Sequence, residues 1–175
     1  LGASGDPSPY TALGCFVGAQ TAVKHHFKRD TMDGLTVALQ GLGHVGFDYA
    51  RRLHAAGAKL VVADIDEAAL ERARTEFGAE VVGVDAIYDV EADIYAPCAL
   101  GATLNPHTLS RLRVKIVAGG ANNQLATDEI GVEAAQGDMD RPVGEGQRHD
   151  EMGEHDAGRR ADQPELGDER DHGDA

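Results

Sequence analysis

The 175-residue sequence predicts a doubly wound α/β fold on a parallel sheet. Two observations carry that expectation. Between residues 35 and 118, short, largely apolar runs alternate with longer amphipathic stretches. Uninterrupted apolar strands are those buried on both faces, as in parallel sheets joined by right-handed helical crossovers. In addition, a glycine-rich turn, Gly41-Leu42-Gly43-His44-Val45-Gly46, joins the first such run to the helical pattern after it.

The elements follow in order. Tyr10 to Phe27 predicts a long helix, with Asp6 and Ser8 near its start as caps or as site residues, a choice the sequence leaves open. His25 and His26 fall at its exposed end. Leu35 to Gln40, entered through Asp33-Gly34, is the first buried strand. Val45 to Ala56 forms a helix with Val45, Tyr49, Leu53 and Ala56 on one face, and Gly57 stops it. Lys59 to Ala63 is the second strand, closed by Asp64. Asp66 caps a helix over Glu67 to Phe77, which ends at Gly78. Glu80 to Val82, Asp93 to Ala96 and Val114 to Ala118 are three further strands, the last two separated by a helix near His107 to Leu112.

Composition bounds the function. Hydrophobic residues are 42% and charged residues 26% of the chain, the proportions of a globular protein. No apolar run approaches the roughly 20 residues of a membrane helix, and no basic-then-apolar leader opens the sequence. Cys15 and Cys98 are far apart and outside any CxxC pair, so no metal site and no disulfide framework is expected, and a reducing, cytoplasmic setting fits. The net charge of −14 argues against nucleic acid as a partner.

That charge is concentrated at one end. Residues 131–175 hold 14 acids against 5 bases and no Phe, Tyr, Trp or Ile. Such a segment cannot bury enough apolar surface to offset backbone ordering. The expected organisation is therefore a nucleotide-binding domain over 1–136 and a disordered acidic tail over 137–175. His149, His155 and His172 lack a ligand spacing. From Gly131 onward every residue except Met139 and Met152 has codons beginning with G or C, a bias that suggests a shifted reading frame. The opening Leu1 suggests a fragment.

The glycine turn carries the chemistry. G-x-G-x-x-G between a strand and a helix, with an acid at the tip of the next strand, is the dinucleotide-binding fingerprint of a Rossmann-type domain. Gly41 permits the tight turn, Gly43 lets the backbone approach a pyrophosphate, and Gly46 allows close packing of the helix. Leu42, His44 and Val45 complete the loop, whose helix N-terminus presents N–H groups to the phosphates. His44 reads chiefly as a solvent-facing side chain there. Asp64, 18 residues after Gly46, is placed to accept hydrogen bonds from the adenosine ribose. Its charge opposes a 2′-phosphate, and Ile65-Asp66-Glu67 supplies no arginine, so the expected cofactor is NAD.

Three further stretches carry a family resemblance: Gly5-Asp-Pro-Ser-Pro-Tyr-Thr-Ala12, Ala96-Pro-Cys-Ala-Leu-Gly-Ala102 and Gly119-Gly-Ala-Asn-Asn-Gln-Leu125. With the glycine turn they resemble the leucine, phenylalanine and valine dehydrogenases of the glutamate dehydrogenase superfamily, over about residues 2–131, with the leucine group favoured. The resemblance implies NAD-dependent oxidative deamination of an apolar L-amino acid to a 2-oxo acid and ammonia, in a homo-oligomer when full length. It places Thr11 near the nicotinamide amide, and Pro97, Cys98 and Ala99 against the ribose on the loop past the fourth strand. It sets Asn122 or Asn123 beside the nicotinamide; without it those asparagines read as a turn. Cys98 reads as a small buried residue rather than a nucleophile, and Cys15 as core.

The family's substrate-binding lysines and assisting acid belong to an N-terminal domain that this sequence does not match. No catalytic residue is therefore assigned, and the chain alone is expected to be inactive. The family's continuation after Leu125, a helix, a strand and a glycine-rich turn, is not matched either, so the sheet is expected to be incomplete at its C-terminal end. The competing reading is a non-catalytic, NAD-sensing regulatory module with the acidic tail as an interaction arm.

Overall fold

A computed structural model describes residues 5–127. The expected tail over 137–175 and the domain boundary at 136 lie outside the described residues.

Among the described residues, five strands form one parallel sheet: β1 (Thr36–Gln40), β2 (Lys59–Ala63), β3 (Glu80–Val81), β4 (Ile94–Pro97) and β5 (Ile116–Val117). Their spatial order is β3-β2-β1-β4-β5. Successive strands run outward from β1 to one edge, and the chain then returns to β1's other side. The order therefore reverses between β1 and β4, where Gln40 pairs with Pro97 and Val37 with Ile94. Ligands of open α/β sheets bind outside the carboxyl ends of the strands at such a reversal.

Four helices of the described residues flank the sheet: α1 (Ser8–Phe27), α2 (His44–Ala55), α3 (Glu67–Phe77) and α4 (Pro106–Arg111), with a 3₁₀ turn at Ala86–Asp89. On one face Val37, Leu39, Val62, Ile94, Ala96 and Ile116 pack with Ala12, Val23, Tyr49, Leu53 and Leu70 from α1, α2 and α3. On the other, Ala38, Val61, Ala63 and Tyr95 pack with Ile87 and Tyr88 of the 3₁₀ turn and with Leu104, Leu112 and Val114. Burial of each large side chain contributes roughly 1.5–3 kcal/mol relative to exposure.

The predicted stops and starts have visible causes. Ala58 N–H donates to the Leu53 carbonyl (3.1 Å) and Gly57 N–H to that of His54 (2.9 Å), with Gly57 at φ +87°. This pair of bonds satisfies carbonyls at the end of α2 and needs a left-handed residue. Asp66 accepts from the N–H groups of Ala68 (2.9 Å) and Ala69 (3.4 Å), capping α3 as expected. Asn105 and Thr108 cap α4 reciprocally. Asp6 accepts from Ser8 N–H (3.0 Å), which favours its capping role.

Some boundaries differ from the sequence reading. Leu35 precedes β1, and β3 and β5 are each two residues long. Among the described residues both short strands lie at the ends of the strand order, each pairing with one neighbour. Pro97 is the last residue of β4 rather than part of the loop beyond it. It lacks an N–H donor, and the ladder continues through Cys98, whose N–H donates to the Gln40 carbonyl (2.7 Å).

Arg111 fastens α4 to the 3₁₀ turn. Its guanidinium donates to Asp85 (2.9 and 3.0 Å) and Asp89 (2.7 and 3.0 Å) and lies 5.5 Å from the centre of the Tyr88 ring. These hydrogen bonds lower the carboxyl pKa of both aspartates below the ordinary 3.8. A lowered folded-state value means stability that is present above the unfolded pKa and lost as pH falls through the folded one. Arg111→Ala should therefore lower the melting temperature at pH 7, with the gap to the parent closing as pH drops below about 4. A gap independent of pH would show that Arg111 acts by packing alone. Asp66→Ala should cost about 1 kcal/mol of unfolding free energy, read from the denaturant midpoint.

Candidate functional site

At the strand reversal three backbone segments meet with no room for side chains between them. Gly41 leaves β1 at φ +98°, and a Cβ there would lie 2.6 Å from the Cys98 carbonyl carbon and 2.8 Å from Ala99 Cα. A Cβ on Gly46 would overlap the Gly41 carbonyl oxygen and come within 3.2 Å of Cys98 Cβ. A Cβ on Gly119 would lie 2.6 Å from both the nitrogen and Cδ of Pro97. The glycine turn, the end of β4 and the loop after β5 are thus in direct contact.

Gly43 is different. Nothing lies within 4 Å of the position its Cβ would take, and its backbone at φ −63° and ψ −170° suits any residue. It is the N-cap of α2 and offers no side chain to the N–H groups of the first turn. An uncapped helix start beside open space, with the positive end of the helix dipole behind it, fits a pyrophosphate.

Asp64 sits at the tip of β2 and does more than the sequence reading assigned to it. One carboxylate oxygen accepts from Leu42 N–H and the other from Asp66 N–H (2.8 Å). The acid thereby holds the glycine turn to the end of β2. Each oxygen retains a second acceptor direction, the number a ribose diol needs.

Thr11, Cys15 and Val45 gather around Gly120. A Cβ on Gly120 would lie 2.9 Å from Val45 Cγ1, 3.1 Å from Cys15 Sγ and 3.9 Å from Thr11 Cγ2. Thr11 is exposed on the first turns of α1, and its hydroxyl lies 3.4 Å from the Pro7 carbonyl oxygen. Burial pushes the Cys98 thiol up to about 11 and raises that of Cys15. Both are protonated at neutral pH, which makes them poor nucleophiles. Cys15 is only half-buried, packed against the core rather than within it.

His44 opens α2 with its side chain 87% exposed, its Nδ1 3.8 Å from an Asp6 carboxylate oxygen. Asn122 and Asn123 are exposed beyond β5. The Asn123 carbonyl accepts from Ala102 N–H (2.5 Å), so its backbone also ties the loop after β4. Of the predicted residues, Thr11, Gly41 to Gly46, Asp64, Pro97, Cys98 and Ala99 surround the strand reversal, with Asn122 and Asn123 following Ala121 at its rim.

Sequence reasoning missed three supports. Gln124 donates to the Gly119 carbonyl (2.9 Å), Ala121 N–H to that of Pro97 (3.0 Å), and the buried Tyr49 hydroxyl to that of Ala118 (3.1 Å). The Gly119-Gly120 pair directly after an apolar run was the available signal. All four described lysines lie toward the opposite, strand-entry end: Lys59 opens β2, Lys115 precedes β5, and Lys24 and Lys28 end α1. Among the described residues no group of three or more His, Cys, Asp or Glu could hold a metal ion, and no helix is long and apolar enough to cross a membrane.

No family model matches the chain. Individual proteins do. Leucine dehydrogenase of Thermoactinomyces intermedius is 52% identical over 131 residues, 75% of this chain and 36% of that protein. L-tryptophan dehydrogenase of Nostoc punctiforme (strain ATCC 29133 / PCC 73102) is 46% identical over 127 residues, 73% of this chain and 36% of the relative. The crystal structure of L-tryptophan dehydrogenase from Nostoc punctiforme superposes with a TM-score of 0.72 at 44% identity, covering 75% of this chain and 40% of that one. The chain thus spans little more than a third of the length of the curated relatives it matches. Over that span, with its glycine turn at the strand reversal, it is homologous to the leucine, tryptophan and phenylalanine dehydrogenases.

Proposed function

We propose that this chain carries the NAD(H)-binding part of an amino-acid dehydrogenase that oxidatively deaminates an apolar, leucine-like L-amino acid. The observation that carries the reading is the open, uncapped start of α2 at Gly43, set at the strand reversal and flanked by the Asp64 carboxylate. The similarity to the leucine dehydrogenases supports the substrate class.

NAD⁺ bound there supplies an acceptor for the hydride of the amino-acid Cα–H, and water then converts the resulting imine to the 2-oxo acid and ammonia. The residues of this chain bind and orient. N–H groups at the start of α2 hold the pyrophosphate, Asp64 accepts from the adenosine ribose hydroxyls, and Pro97, Cys98 and Ala99 line the second ribose. Thr11, Val45 and Gly120 form the wall nearest the nicotinamide, with Asn122 or Asn123 at its edge. Substrate carboxylate binding and proton transfer need a cation and a general base at that wall. The described lysines lie at the other end of the sheet, and Arg52, whose guanidinium donates to the Pro9 carbonyl (3.5 Å), is engaged by Asp48 (2.9 Å), so we assign these groups to residues outside those described.

The direct test is titration of the whole chain with NADH, followed by nicotinamide fluorescence. Saturable one-to-one binding is expected, and a folded chain that binds nothing would overturn the reading. Gly43→Ala should leave the melting temperature unchanged, because the added methyl meets nothing, yet weaken NADH binding about tenfold or more by occupying the phosphate's space. NADH should bind about tenfold or more tightly than NADPH, since a carboxylate facing a phosphate is a like-charge contact. Asp64→Asn should narrow that ratio.

A further inference from the structure

The strand reversal stands on a buried polar cluster that the proposed binding roles leave unused. Gln40 is the last residue of β1, 8% exposed, with its side chain on the face opposite α2. Its Nε2 donates to the Val84 carbonyl (3.3 Å) and lies 3.1 Å from the Tyr88 hydroxyl. Its Oε1 accepts from the hydroxyls of Tyr88 (3.2 Å) and Tyr95. The Val84 carbonyl fixes the amide's orientation, because a flipped amide would set oxygen against oxygen. The main chain of Gln40 is equally committed: its carbonyl accepts from Cys98 N–H (2.7 Å), and the next N–H, of Gly41, donates to Ala63 (2.8 Å).

One residue therefore joins the carboxyl ends of β1, β2 and β4 and the turn before Tyr88. Tyr95 lies two residues before Pro97, and Gln40 one residue before Gly41. We infer that Gln40, through Tyr88 and Tyr95, is a positioning residue that sets the distance between the glycine turn and the Pro97–Ala99 segment. These are the two walls between which the dinucleotide is proposed to lie, and the inference rests on that proposal. The physical ground is that a buried amide with several partners has one low-energy placement, whereas an apolar side chain of the same size has several. Removing it takes a donor from the Val84 carbonyl and an acceptor from the Tyr88 and Tyr95 hydroxyls, which keep each other and Thr103 as polar neighbours.

The test uses Gln40→Met, which keeps the side-chain length, Tyr88→Phe, which removes one hydroxyl, and Leu35→Ala as a control. Leu35 is buried just before the entry end of β1, away from the reversal. In the whole chain, Gln40→Met should raise the dissociation constant for NADH about tenfold, the effect of one lost or misaligned hydrogen bond. Tyr88→Phe should act in the same direction by less. Leu35→Ala should lower the melting temperature and leave the dissociation constant alone. Without ligand, amide exchange should quicken at residues 41–46 and at Cys98 and Ala99 in Gln40→Met but not at 68–77. A lowered melting temperature with unchanged NADH affinity, or exchange that quickens uniformly, would overturn the assignment. If Gln40→Met does not fold, Tyr88→Phe decides by the same two readouts. If the unaltered chain binds no NADH, the proposed function fails, and the exchange measurements still judge the positioning role by themselves.

Discussion

The structure depends on three stretches of main chain approaching one another at the strand reversal more closely than any side chain allows. Gly41 lies against Cys98 and Ala99, Gly46 against Gly41, and Gly119 against Pro97. Each contact is made where a Cβ would overlap backbone, so the spacing of the carboxyl ends of β1, β4 and β5 is set by what these glycines lack. Interiors packed at this density do not yield by fractions of an ångström without repacking. The consequence is a rigid floor from which the start of α2 projects, with Gly43 alone left facing open space.

Polar groups hold that floor from both faces of the sheet. Above it, Asp64 accepts from the glycine turn and from Asp66, Tyr49 donates to Ala118, and Gln124 to Gly119. Below it, Gln40 draws together Val84, Tyr88 and Tyr95. Buried polar groups are stabilising only when satisfied, and a satisfied set favours one arrangement of its neighbours over others. A preorganised site binds its ligand without first ordering its own loops.

At the strand reversal the described residues present the uncapped N–H groups at the start of α2, the Asp64 carboxylate and a small-residue wall beside Thr11. They place no lysine at that wall, since all four described lysines fall at the strand-entry end, and Arg52, which reaches the Pro9 carbonyl, is paired with Asp48. A protein nearly three times as long as the matched span, as the curated relatives are, has room to bring such groups in from elsewhere.

The sequence by itself determined the parallel α/β class, the order of the elements and the glycine turn. These rest on local rules: apolar runs buried on both faces, caps such as Asp66, stops such as Gly57 and Gly78. Such signals act within a few residues, and β2 and α3 matched the reading to the residue for that reason. What only the tertiary structure decided were contacts across the fold. Gln40 ended an apolar run and read as a strand terminus, yet its partners lie 44 to 55 residues away. Asp64 read as a ribose ligand, and its bond to Leu42 needed the β1–β2 register. Gly119 and Gly120 could be seen as a pair, but not that one meets Pro97 and the other Cys15. A hydrogen bond between distant residues leaves no periodicity in sequence; it exists only once the sheet order has brought the strand ends together.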